Sequence, residues 1–390
     1  MIKSTTEDWH LHALLHAKLR NEIITAKPLK NLRDCCTAST KQGVLFYKSK
    51  GKVHVDGVVH CHSNACPVCA SYKMMQYQHY IEDAFTMQNE QNKAAFMLTL
   101  TVPHWRFNKD TGVFLMLHDV LTLLKTCLSK LQISGSWKKF KKEMQISDSF
   151  YVMETTHNKF KGWHPHYHIL FWLPKENLQK IAEYEESLAN LWQKYIKKYA
   201  EQIYKIPNYG ERLTYTGSFN IAKTTNGEVG AMSAANYFWS ATSELTALRF
   251  KKGRNNSRTI WQLLNDALLN NDEEAWLLWK EYAVELAKLQ PYRLSRNFKR
   301  KIEEWRAENP TKIYIARKKN TAPEERVFIC WFPQNEWRLL NDRARHIDEI
   351  TAIIQEYDSV DLIQEYIAEY IKHYHVKCYF DIPFKLKQAA

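Results

Sequence analysis

No run of apolar residues in this 390-residue chain approaches the roughly 18 needed to cross a bilayer; the longest, about Ala94 to Val102, fits one buried strand. The first residues, Met1 to Arg20, are amphipathic and lack the apolar core and small-residue cleavage site of a secretory signal. Acidic residues are in deficit, 42 against 55 Lys and Arg, which leaves a formal charge of +13. The first two absences lead to the expectation of a cytoplasmic chain with no membrane partner. In that compartment the eight cysteines are expected as thiols or metal ligands rather than as a disulfide framework. The shortage of acid argues for a polyanionic partner, most simply nucleic acid.

What is present is a globular composition, 45% hydrophobic, in a chain long enough for two or three domains. Thirteen Trp, 21 Tyr and 17 Phe supply stacking surfaces for unpaired bases, although most are expected in the core. Five of the cysteines fall in one block: Cys35, Cys36, Cys61, Cys66 and Cys69. The Cys66-Pro67-Val68-Cys69 knuckle, with Cys61 and one of Cys35 or Cys36, offers thiolates for a structural, tetrahedral Zn2+. A redox Cys-x-x-Cys, or His60 or His62 in place of one thiolate, are the alternatives.

The chain is organised around Gly162 to Phe171. As a strand its period of two puts His166 and His168 on one face and Tyr167 and Ile169 on the other. Two imidazoles on one face can share a metal ion, and a partial protein shell leaves positions for a substrate oxygen. Phe150 to Thr156 reads as the preceding strand and His157 to Gly162 as a polar turn. Folding this hairpin about position 160 sets Glu154 opposite His166, as a third ligand or as a cross-strand hydrogen-bond partner without metal.

Around the hairpin, residues 1–33 read as basic and helical, followed by a hairpin over 44–47 and 52–55 and a helix over 70–92. Ala95 to His104 alternates apolar residues with threonine and is closed by Pro103, a strand signal. A helix over 112–131 leads to a basic turn, Trp137 to Lys142, whose Lys138, Lys139 and Lys141 with interleaved aromatics suit a DNA backbone. A helix over 175–203 and a strand over 219–222 come next, then a helix from Ala231 to Thr246 whose sole tyrosine is Tyr237. The loop over 249–260 holds Lys251, Lys252, Arg254 and Arg258, a phosphate-tracking candidate, and helices over 272–290 and 297–308 follow. A linker-like stretch precedes a strand over 327–332 and helices over 334–356 and 358–375. The expected fold is α+β: a central antiparallel sheet with helices on one face and the histidines on the open one. The expected domains are an N-terminal helical and zinc-binding segment (1–94), a central domain (95–308) and a small C-terminal α+β module (309–390).

Trp163-His164-Pro165-His166-Tyr167-His168-Ile169-Leu170, after a strand ending Glu154-Thr155-Thr156, resembles the His-hydrophobic-His motif of HUH endonucleases, in particular plasmid and phage rolling-circle replication initiators. Leu98-Thr99-Leu100-Thr101 is similar to that family's first motif, and Tyr237 with Glu244-Leu245-Thr246 to its third. The spacing of Cys61, Cys66-Pro67 and Cys69 resembles the cysteine-rich segment before the nuclease core of such initiators, so that the likeness spans about residues 35–300. The resemblance implies an HUH-type endonuclease and strand transferase. Tyr237 would be the nucleophile, with His166, His168 and Glu154 around a catalytic Mg2+ or Mn2+, and single-stranded or hairpin origin DNA the substrate. A host polymerase and helicase would be partners. Two positions depart from the pattern: Ser240 stands where the family usually has Lys, and Ser233 where some members have a Glu. A one-tyrosine transposase or relaxase, or a non-catalytic zinc-containing DNA-binding regulator, are the rival readings.

Overall fold

The computed structural model describes residues 6–49, 52–209, 217–222, 256–287, 289–309 and 326–381. They form two units, one of Met1–Gln76, Asn265–Ala287 and Tyr314–Ala390, the other of Tyr77–Leu264 and Lys288–Ile313.

In the first unit, helices α1 (Thr6–Arg20) and α2 (Lys27–Arg33) precede a hairpin of β1 (Val44–Ser49) and β2 (Lys52–Asp56), and α3 (Pro67–Glu90) begins at the cysteine knuckle. The apolar stripe of α1 buries Leu11, Leu15 and Leu19, and His12 and His16 share it. The partner of β1 on its other side is the strand Val327–Phe332, in a three-stranded antiparallel sheet. Residues read as an N-terminal segment and a separate C-terminal module therefore share one sheet, and the helix Glu273–Leu286 belongs to the same unit. The physical reason is non-local pairing: β1 has an open ladder on one edge, and a strand almost 300 positions away closes it. The helix expected over 334–356 is interrupted, as Gln334–Leu339 and Arg343–Glu356, with Asp342 in left-handed backbone at φ 51° between them.

The second unit is built on β3 (Lys93–Thr101), β6 (Asp148–Asn158), β7 (Gly162–Pro174), β8 (Phe219–Ala222), β9 (Ser257–Thr259) and β10 (Tyr292–Leu294); β4 (Phe107–Asn108) and β5 (Val113–Phe114) make a small separate hairpin. The sheet order is β10-β6-β7-β3-β8, antiparallel throughout, and β9 continues the β10 edge along β6. One face is covered by α4 (Leu117–Ile133), α5 (Gly135–Glu143) and α6 (Ala182–Ile203), which bury Phe96, Leu98, Leu100, Ile169 and Phe171. The mixed α+β architecture with a large antiparallel sheet is the expected one. Helices are not confined to one face, however. The end of α3 and the helix Arg296–Glu308 pack on the other through Ile81, Ala84, Met87, Phe298 and Ile302, against Met97, Val152, Leu170 and Trp172.

Asp148 fastens that second layer. Its carboxylate is fully buried and accepts from Lys301 Nζ at 2.9 and 3.1 Å, Gln88 Nε2 at 3.1 Å and Ser147 Oγ at 2.7 Å. Burial alone would raise its pKa, but Lys301 and Ser147 outweigh burial and hold it below the usual carboxylate range. Asp148 opens β6 and Glu154 lies six residues on, on the same face of the strand.

Candidate active site

The β6–β7 hairpin turns at Lys159–Lys161, with Asn158 Oδ1 accepting from the backbone N–H of Phe160 and of Lys161, both at 3.0 Å. Gly162 opens β7 at φ 71°, and a Cβ there would come within 2.8 Å of Trp105 O, so the position needs glycine. This turn sets the register: Glu154 pairs with His166 and Val152 with His168. On the other side of β7, Thr99 pairs with His168 and Thr101 with His166. The end of β3 is held by α6, where the Trp192 indole N–H donates to Thr101 O at 3.0 Å and Tyr204 Oη to Pro103 O at 2.9 Å.

Three side chains converge at this end of the sheet. Glu154 Oε2 lies 3.1 Å from His166 Nε2 and 3.7 Å from His168 Nε2, and the two rings stand nearly perpendicular with centroids 4.8 Å apart. The second nitrogen of each ring is occupied: His168 Nδ1 meets Thr99 Oγ1 at 2.9 Å, and His166 Nδ1 faces His164 O at 3.4 Å. Glu154 Oε1 is buried with no hydrogen-bond partner among the described residues. Burial would raise the Glu154 carboxyl, yet hydrogen bonds from His166 and His168 dominate and hold it well below the usual range. Two imidazole Nε2 atoms, an ionised carboxylate and its orphaned oxygen are a ligand set that suits a divalent cation, and the three ligand atoms lie within 4.8 Å of one another.

Two further histidines extend this row, and sequence reading did not single them out. His164 stacks on His166 with centroids 5.0 Å apart, and His104 stacks on His164 at 4.3 Å. Burial, then the neighbouring His166 and His104 rings, push His164 down to about 3, and burial also lowers His104. These two rings are therefore neutral at neutral pH and add stacking surface rather than charge. The signal for His164 was present in the period of two that relates 164, 166 and 168; His104 follows the strand that pairs with β7.

In the other unit, Cys35 Sγ lies 3.8 Å from Cys66 Sγ and 3.7 Å from Cys69 Sγ, and Cys61 Sγ lies 3.7 Å from Cys69 Sγ. Thiolates at about 2.3 Å from a tetrahedral zinc are separated by about 3.8 Å, so the spacing fits that ion. Cys35, not Cys36, completes the group of four. The Cys35, Cys61 and Cys66 sulfurs around Cys69 favour its thiolate, while burial drives Cys66 towards the neutral thiol. A metal cation removes that conflict by stabilising all four as thiolates. This cluster could hold a metal ion such as zinc.

Residues 52–214 match the family model of a replication protein. The matched span takes in Cys61, Cys66 and Cys69 and the whole of β3, β6 and β7 with Glu154, His166 and His168. It supports a replication-initiator role and implies interaction with DNA. No curated protein matches the chain. Among the described residues no helix is long and apolar enough to cross a membrane.

The remaining positions singled out in the sequence fall differently. Tyr237, Lys251, Lys252 and Arg254 lie outside the described residues, as do Ser233 and Ser240. Arg258 lies on β9, paired with His157 of β6, rather than in a loop. The expected basic turn over 137–142 is the helix α5, capped by Ser134 Oγ, which accepts from Trp137 N at 3.2 Å. Trp137 and Phe140 point into the core against Phe171 and Phe96, so they are not stacking surfaces. Lys138 and Lys139 are on the exposed face of α5, with Lys141 half-buried. Spacing of i, i+3 between the two rings is helical, and the run of lysines between them hid it.

Proposed function

We propose that this chain is a rolling-circle replication initiator that nicks single-stranded or hairpin origin DNA and rejoins strands. The observation that carries the reading is the convergence of His166, His168 and Glu154 on one face at the end of the sheet, inside the replication-protein match. These three residues would hold Mg2+ or Mn2+, which when bound polarises a phosphoryl oxygen and stabilises the leaving oxygen. Thr99 and the His164 carbonyl keep both Nε2 atoms aimed at the shared point. Tyr237 is the proposed nucleophile, and its Oη attacks the phosphodiester. The new P–Oη bond replaces the P–O3′ bond, leaving a 5′-phosphotyrosine, and the tyrosine proton ends on the freed 3′-OH. That hydroxyl primes a host polymerase working with a host helicase, and the reverse attack rejoins the strand. Backbone charge from Lys138, Lys139, Lys141, Lys251, Lys252, Arg254 and Arg258 would track the phosphates. Phe160, exposed at the hairpin tip between Lys159 and Lys161, offers an aromatic face to an unpaired base.

The test is incubation of the full chain with single-stranded origin DNA and Mn2+, followed by denaturing electrophoresis for a covalent adduct. Tyr237→Phe should abolish the adduct and leave DNA binding within a few-fold, since only the nucleophilic oxygen is removed. An adduct that persists in Tyr237→Phe moves the nucleophile elsewhere. Binding with no adduct in the unmodified chain favours the non-catalytic regulator.

A further inference from the structure

The unit that carries the four converging cysteines holds a second set of ligand atoms that those four do not use. Cys36 Sγ lies 3.6 Å from Cys35 Sγ and 3.7 Å from His60 Nδ1, the separations expected around a tetrahedral zinc with about 2.3 Å thiolate and 2.0 Å imidazole bonds. His12, on the buried stripe of α1, brings a ring nitrogen within 4.8 Å of both sulfurs. Its side chain is fully buried, and neither ring nitrogen has a hydrogen-bond partner among the described residues. A buried neutral imidazole with both nitrogens unsatisfied is unfavourable in an apolar stripe where leucine would pack equally well. Cys36 is held in left-handed backbone, φ 58°, with its N–H on Val59 O at 2.8 Å; a residue with a Cβ is uncommon there. That conformation is what turns two adjacent cysteines toward a common point.

We infer that His12, Cys35 and Cys36, with His60 as the fourth ligand, hold a second zinc ion, and that the Cys35 thiolate bridges it to the ion of Cys35, Cys61, Cys66 and Cys69. A bridging thiolate is the arrangement that lets adjacent cysteines both serve, because each ion then keeps a four-coordinate shell. The second dication also offsets the charge of five clustered thiolates, four of them on buried cysteines. The bridge rests on the reading of the four cysteines as a zinc site, and the experiment separates the two.

The experiment uses the full chain with Glu154, His166 and His168 each replaced by Ala, so that zinc does not load on those residues. Native mass spectrometry with elemental analysis should find two zinc ions per chain. His12→Ala and Cys36→Ser in this background should each retain one, with the far-ultraviolet circular dichroism unchanged. Titration with Co2+ after zinc removal gives a second readout: two equivalents should bind with thiolate charge-transfer absorption, and His12→Ala should lose one of them. A content of one zinc in the starting chain overturns the second ion and leaves the first. A content of zero overturns both. Equal zinc in the starting chain and in His12→Ala overturns the assignment of His12. Should Cys36→Ser fail to fold, the stoichiometry of the starting chain still decides.

Discussion

The four converging cysteines and the Glu154, His166 and His168 cluster differ in how much of an ion's surroundings the protein fills. Around Cys35, Cys61, Cys66 and Cys69 the shell is complete, and three of the four sulfurs are buried. At the sheet the described residues supply three ligand atoms, on side chains that keep 11–16% exposure. A closed shell spends its binding free energy on the fold, whereas an open one leaves coordination positions for a substrate oxygen. The difference predicts that metal removal at the first cluster is read in stability, and at the second in rate.

The largest expected effect is at the closed cluster. Structural zinc binding is worth on the order of 10 kcal/mol, comparable with the whole stability of a domain. Cys66→Ser should therefore lose zinc and the cooperative melt of its unit, as read by elemental analysis and calorimetry. An unchanged melt in a metal-free variant would break the comparison from that side.

At the open cluster the signature reverses. His166→Ala and His168→Ala should each lower strand cleavage by about a hundredfold or more, the loss of several kcal/mol of transition-state stabilisation. DNA affinity should persist, because it comes from dispersed backbone contacts. The melting temperature should fall only by the equivalent of about 1–3 kcal/mol, for one hydrogen bond to Glu154. A large loss of stability with cleavage intact would make this cluster structural.

Asp148 tests what positions the open site. Asp148→Asn should destabilise by about 2–3 kcal/mol, since it leaves the Lys301 ammonium without its carboxylate at a partly exposed position. The folded-state pKa of Asp148 is lowered, so its contribution is complete above the ordinary carboxylate value of about 4 and is lost as pH falls through the lowered value. The stability gap between the native chain and Asp148→Asn should therefore be constant near neutrality and close in acid. A gap that widens as pH falls would remove Asp148 as the anchor.

The smallest effect concerns aim. Thr99→Val keeps the side-chain volume but removes the partner of His168 Nδ1, and loss of such an outer contact weakens metal binding by about 10–100-fold. The Mn2+ midpoint for cleavage should rise by that factor while the rate at saturating metal recovers. A midpoint that does not move would assign the orientation of His168 to packing alone.

Much of the open site is legible in the sequence because its determinants are local. The period of two fixes the shared face of His166 and His168, and a short turn with Asn158 and Gly162 fixes the register that brings Glu154 opposite His166. The cysteine knuckle is legible for the same reason, as spacing within a few residues. The choice of Cys35 over Cys36 was not, because it depends on a left-handed turn at Cys36 and on which element lies beyond it. The helix α5 was hidden by its lysines, although its two buried rings carried the period.

By itself, then, the sequence determined most of the elements, the faces of the hairpin strands and the ligand types, since torsional preference and side-chain period act over a few residues. Only the tertiary structure decided that Val327–Phe332 closes the edge of β1, that helices cover part of the second sheet face, and that His12 meets Cys36. Those outcomes depend on which buried surfaces and open ladders find one another across tens to hundreds of residues, and a linear pattern carries no term for that choice.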